Sequence, residues 1–315
     1  MGLEGRTSRP GIDPTLRATA LKLSRRDGVI GVFLGRGTRK GRWLTEKCVV
    51  VHVARKLHAL HLSKRQTLPR YIGPYRVDVI EVGYPRTHAL DISDQVAAPG
   101  ARPRTGTLTL LINGTHGGIA LLSGHVALPL KNGLIVGNYD NRDDPVASIS
   151  VVDGTSNQQY SGNILRGGIS ARSDWSLALF STAAGDHVDT VHPLVEESPP
   201  LRLRGNPLSA GDSLRHFSRV LGRELQGRFV HEALSPVDIV LGDGSRRRYS
   251  GLQVVAGTGG AFSRGGDSGS LVCDTARRVV GTILAGGDDG SLSYMLPIDS
   301  FRFPLADNFY EFFRD

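Results

Sequence analysis

From Gly106 to Pro297 the chain is divided into short apolar runs separated by Gly, Asp, Asn and Ser. An amphipathic helix needs an apolar stripe recurring every three or four residues over ten or more positions, and such stripes are scarce here. Short apolar runs bounded by turn formers point instead to strands. The pattern predicts strands at 107–111, 118–123, 134–136, 147–152, 175–180, 188–192, 228–233, 249–255, 270–274, 279–285 and 293–296. That number at that spacing predicts a mainly β fold of two barrels over roughly 200 residues.

The region before it reads differently. Residues 1–13 are rich in Gly, Pro and Arg and are expected to be loose. "PTLRATALKLSRRD" then predicts a helix, with Asp13 as N-cap, Pro14 at the first helical position and Gly28 ending it. Strands are expected in "GVIGVFLGRG", "KCVVVHVAR" and "YRVDVIEVG", and "RKLHALHLSKRQTLPRYI" reads as helical at its start until Pro69 breaks it. The sequence thus divides into a tail (1–13), a small α/β domain (14–95) and a β domain (96–315). The Pro/Gly-rich connector "YPRTHALDISDQVAAPGARPRTG" runs up to that boundary and across it.

Charge narrows the partners. The net charge is +8, but the arginines are scattered rather than gathered on one helix or interleaved with aromatics, so a nucleic-acid reader is not expected. Neither a secretory signal nor an apolar run of membrane-spanning length is found, and Arg6 stands where a myristoylation motif needs Ser or Thr. The two cysteines, Cys48 and Cys273, lie inside apolar runs and read as small buried hydrophobes. That usage suits a reducing compartment, and the expected location is cytoplasmic.

Chemistry concentrates at "SRGGDSGSLV". With 40 glycines in 315 residues, Gly266-Asp267-Ser268-Gly269 alone is a weak signal. A nucleophilic serine also needs a base, a carboxylate to orient that base, and donors for an oxyanion. Ten histidines compete for the first role. His52, His58 and His61 read as core or surface residues, while His88, His187, His192, His216 and His231 have no distinguishing local context. His125 is favoured because it directly follows the predicted strand "GGIALLS", where a rigid scaffold presents a side chain. His116, in the turn before that strand, is the alternative. For the carboxylate, Asp174 opens the alternating strand "DWSLALF", whereas turn chemistry accounts for Asp140, Asp143, Asp144 and Asp153.

The order His, Asp, Ser and the contexts "LLSGHVAL", "SDWSLALF" and "GGDSGSLV" resemble the chymotrypsin/trypsin-like serine proteases over residues 106–297. The N-terminal strands look like the domain that precedes the barrels in bacterial trypsin-like peptidases related to the plant Narrow Leaf protein. The resemblance implies His125 as general base, Asp174 as its orienting acid and Ser268 as nucleophile. The N–H groups of Gly266 and Ser268 would form the oxyanion hole, with no cofactor or metal. It also implies departures from trypsin. Phe262 stands where trypsin has an acid, and Leu284-Ala285-Gly286 replaces the usual Ser-Trp-Gly edge that pairs with substrate. A small or apolar residue is therefore expected before the scissile bond. With no activation site at the start of the barrels, Asp267 must find a buried basic or backbone donor. The expected partner is a protein or peptide substrate, with control by self-association or by a partner engaging residues 1–100. The competing readings are a non-catalytic binding module and a serine esterase on the same scaffold.

Overall fold

The computed structural model describes residues 12–39, 42–58, 61–63, 66–87, 104, 106–114, 117–140, 147–152, 159–180, 204–287 and 290–298. The N-terminal tail to residue 11, connector residues 88–103, His116, the strand expected at 188–192, and His187 and His192 lie outside them. The fold is mainly β, as the alternation of short apolar runs dictates.

The expected first helix forms over Pro14–Leu23, where the Asp13 side chain accepts the Thr15 N–H at 2.8 Å and Pro14 occupies the first turn. Leu16, Ala20 and Leu23 share one face and bury it against Val32, Val49 and Val51. Those valines belong to a long hairpin, Val29–Arg39 with Arg42–Val53, and Tyr75–Glu81 runs parallel to its second arm. No α-helix forms among the described residues of 55–72, and residues 59–60 and 64–65 of the helix expected there lie outside them.

Six strands close on themselves in the second half. Ser213–Ser218 pairs with Arg223–Ala233, which pairs with Gln253–Gly257, then Leu292–Pro297, Val279–Gly286, Leu271–Asp274 and back to Ser213–Ser218. Every pairing is antiparallel, and closure removes free edges from the ring. The N-terminal hairpin is continuous with it, because Val29–Arg39 also pairs with Arg223–Ala233. Both cysteines are free and fully buried.

A second large sheet has six strands, in the order Asn138–Asp140, Gln159–Ser170, Ser173–Phe180, Gly117–Leu122, Leu110–Gly114, with Ser148–Val152 also on Gln159–Ser170. Its longest strand, "QYSGNILRGGIS", is absent from the sequence expectation. Three glycines and few apolar residues hide it, and its stability comes from three neighbouring strands.

A hairpin made of Val237–Val240 and Arg246–Tyr249 joins the two halves. Its turn residue Asp243 accepts the Ile135 N–H at 2.7 Å, and Arg247 donates to the Ile135 carbonyl at 2.6 Å. Just beyond it, the Ser250 N–H reaches the Ala171 carbonyl at 2.5 Å. One core then runs through both halves, with Leu122, Val126 and Ile164 in the same cluster as Ile239, Tyr249 and Tyr294.

Candidate active site

His125 rides on a single helical turn, Gly124–Ala127, directly after the strand Gly117–Leu122. Asp174 lies near the start of the neighbouring strand, Ser173–Phe180, whose pairing with Gly117–Leu122 brings the two residues together. Asp174 Oδ1 accepts the His125 backbone N–H at 2.7 Å, and Oδ2 lies 2.5 Å from Nδ1 of the ring. Both side chains are buried, at 1% and 0% exposure. Gly124 makes this approach possible, since a Cβ there would stand 2.8 Å from Asp174 Oδ1.

Two groups that the sequence reading passed over complete this half. The Tyr249 hydroxyl, fully buried on the joining hairpin, donates to Asp174 Oδ2 at 3.3 Å. Burial, and then the charge of Asp174, push its pKa well above 10, so it remains a donor. Arg104, buried within the connector, donates to the His125 carbonyl at 2.9 Å and to the Leu128 carbonyl. Burial pulls its pKa down to about 10 against the opposing charges of Asp243 and Asp174, leaving it a cation at neutral pH. A polar tyrosine ending "RRRY" and an arginine in a loop carry no local signal of either role.

Ser268 sits on the turn that leads into Leu271–Asp274, and Gly266 and Gly269 have φ of +93° and +94°. Only glycine adopts the first of these without strain, which explains why the residue two before the serine is Gly. The turn is braced by residues beside the histidine. The Thr107 N–H donates to the Ser268 carbonyl at 2.7 Å, and its hydroxyl donates to the Gly266 carbonyl at 2.8 Å. A Cβ on Gly106 would lie 2.6 Å from a Val126 methyl and 2.9 Å from the Ser268 carbonyl, so the two half-sites are a side chain's width apart. The Ser268 hydroxyl donates to the Leu284 carbonyl at 3.2 Å, and His125 Nε2 is buried without a hydrogen-bond partner.

Asp267 finds two donors, the Ser218 hydroxyl and the Arg264 N–H, both at 2.9 Å. The second is the backbone donor the sequence called for, and the first is a neutral hydroxyl in place of a buried cation. Burial raises the Asp267 pKa to about 6 in spite of them. His216 Nε2 lies 4.0 Å from its carboxylate and bonds instead to the Phe262 carbonyl.

Phe262 itself is fully buried in the ring's core, edge-on to His216, with no surface to offer a substrate. The side chain of Leu284 is likewise in the core, so its carbonyl is what faces Ser268. Gly286 ends the strand Val279–Gly286 and pairs on one side with Ser293.

No protein-family model matches the sequence, and no curated protein matches it. Among solved structures the chain is similar to Protease A of Thermobifida fusca at 15% identity and TM-score 0.41, over 66% of this chain and 91% of that one. Cellulomonas bogoriensis chymotrypsin overlaps 69% of this chain and 93% of its own, at 12% identity and TM-score 0.39. The MamO protease domain of Magnetospirillum magneticum overlaps 68% and 96%, at 13% identity and TM-score 0.38. At such TM-scores the overlaps carry no chemistry, which rests on this chain's own side chains. No helix among the described residues is long and apolar enough to cross a membrane.

Proposed function

We propose that this chain is a chymotrypsin-like serine endopeptidase, with the leading region of the bacterial peptidases related to the Narrow Leaf protein. The observation that carries the reading is the His125 ring. Nδ1 is fixed by a buried carboxylate and Nε2 is left without a partner. His52, His216 and His231 also leave one buried ring nitrogen without a partner, but the other nitrogen of each bonds to a tyrosine hydroxyl or a backbone carbonyl rather than to a carboxylate.

In the proposed reaction Ser268 rotates from the Leu284 carbonyl toward Nε2, which takes its proton as Oγ attacks the substrate carbonyl carbon. The oxyanion is received by the N–H groups of Gly266 and Ser268, donors of a kind worth about 3–4 kcal/mol each. His125 then returns the proton to the leaving amine. Water attacks the resulting ester by the same route, releasing the acid and restoring the Ser268 hydroxyl. Asp174 fixes the tautomer and stabilises the imidazolium throughout.

A fluorophosphonate probe, applied to the protein and to Ser268→Ala and followed by casein and peptide-library cleavage, tests this. Labelling of the wild type alone, together with peptide cleavage, is expected. An unlabelled wild type sinks the enzyme reading, and labelling without peptide cleavage shifts it to an esterase. If His125→Ala keeps its activity while His116→Ala loses it, the base is misassigned.

A further inference from the structure

The strand that carries Leu284, whose carbonyl touches Ser268, ends in a sheet edge that is already occupied. Residues Arg86–Thr87 form a short strand antiparallel to it, with Thr87 opposite Ala285 and Arg86 opposite Gly286. On its other side the same segment runs parallel to the joining hairpin, with Arg86 opposite Val240 and the Val240 N–H on the Pro85 carbonyl at 2.8 Å. The Arg246 guanidinium stacks 3.9 Å from the centre of the Tyr84 ring. The chain's own N-terminal region therefore fills a slot between hairpin and edge, next to the candidate nucleophile.

An extended peptide can bind a protein by adding a strand to an exposed sheet edge, its main chain supplying the hydrogen bonds. A peptide whose carbonyl is to reach Ser268 has the 285–286 edge beside it, because Leu284 of the same strand is in hydrogen-bond contact with the serine. We infer that Arg86–Thr87 is a built-in competitor for the substrate strand, and that peptide substrates bind only when this segment leaves the edge. The inference rests on the endopeptidase reading of Ser268.

The segment is seated in a way that permits exchange. Its ladder with the edge is only two residue pairs long. Thr87 is buried at 6% exposure, yet its hydroxyl has no hydrogen-bond partner. A buried hydroxyl left unpaired costs free energy on every seating, which weakens the occupied state without abolishing it. The apparent affinity for a peptide is then its intrinsic affinity reduced by the fraction of molecules with the edge open.

Two covalent probes separate this idea from the reading beneath it. A small fluorophosphonate reaches the serine without strand pairing, whereas a peptidyl phosphonate needs the edge. Thr87→Val removes the unpaired hydroxyl at constant shape and seats the segment more firmly; peptidyl labelling should slow several-fold. Thr87→Glu puts a charge where none can be buried and expels the segment; peptidyl labelling should accelerate about tenfold or more. Small-probe labelling should stay within about twofold in both. Peptidyl rates that are unchanged, or that move in the same direction in the two variants, overturn the competitor strand while leaving the serine chemistry intact. Absence of small-probe labelling in all three proteins defeats the endopeptidase reading instead.

Discussion

Two buried histidines lie close to two buried aspartates in this molecule, and they are wired differently. His125 touches Asp174 through Nδ1 at 2.5 Å and leaves Nε2 open. His216 lies 4.0 Å from Asp267 and spends Nε2 on the Phe262 carbonyl. Each aspartate is satisfied in its own way. Asp174 receives donors from His125, from the backbone and from Tyr249, with Arg104 nearby. Asp267 has only a serine hydroxyl and one N–H. Burial and proximity therefore do not make a proton relay. Each ring leaves one nitrogen without a hydrogen-bond partner, so what separates them is the carboxylate held directly on Nδ1 of His125.

The largest effect that would break this contrast is expected from Asp174→Asn. Losing the carboxylate while keeping its shape should lower kcat by about 10⁴-fold, measured on a peptide substrate, with circular dichroism unchanged. A fall of less than tenfold would place Asp174 outside the machinery. Next comes Tyr249→Phe, expected to reduce kcat by about tenfold with KM unchanged, as removal of one hydrogen bond to a charged group would. An unchanged kcat would leave Tyr249 with a packing role only.

The second pair predicts a pH signature. Asp267 has its pKa raised to about 6, so its contribution to stability is complete in acid and is lost as pH rises toward 6. Burial lowers the pKa of His216 to about 4, so its contribution is complete above its ordinary value of 6.5 and is lost as pH falls. The two slopes oppose each other, and between about pH 4 and 6 they nearly cancel. His52 and His231, also buried with lowered pKa values, add rising slopes of their own, so the test is the difference from wild type. The urea stability of His216→Phe relative to wild type should fall as pH rises through this window, and that of Asp267→Asn should rise. Differences that stay flat in both variants would refute the assignment. The smallest expected effect is on chemistry: His216→Phe should keep fluorophosphonate labelling within about tenfold of wild type, since its hydrogen bond goes to the Phe262 carbonyl, ahead of the turn.

The sequence made the first helix and the serine turn readable because each is a local geometric problem. Asp13 and Pro14 start a helix where the pattern says they should, and the glycine two before Ser268 answers the positive φ of its own turn, whereas the glycine before His125 makes room for Asp174 on another strand. Tyr249, Arg104, Ser218 and the Arg86–Thr87 strand were invisible. Each gets its role from a partner tens of residues away or more, and nothing in their local pattern marks that partner. Phe262 shows the converse. Its position relative to the serine suggested a pocket wall, but the ring's interior was available to it and an apolar side chain takes the core.

Alone, then, the sequence determined the residue types of the site, the turns that carry them and the mainly β character, because turn chemistry and side-chain periodicity act over short spans of chain. Tertiary structure decided which histidine nitrogen stays open, which hydroxyls stabilise the two buried carboxylates, and which segment occupies the edge beside Ser268. Those are contacts between distant segments, set by how the strands pair and how the joining hairpin closes over them.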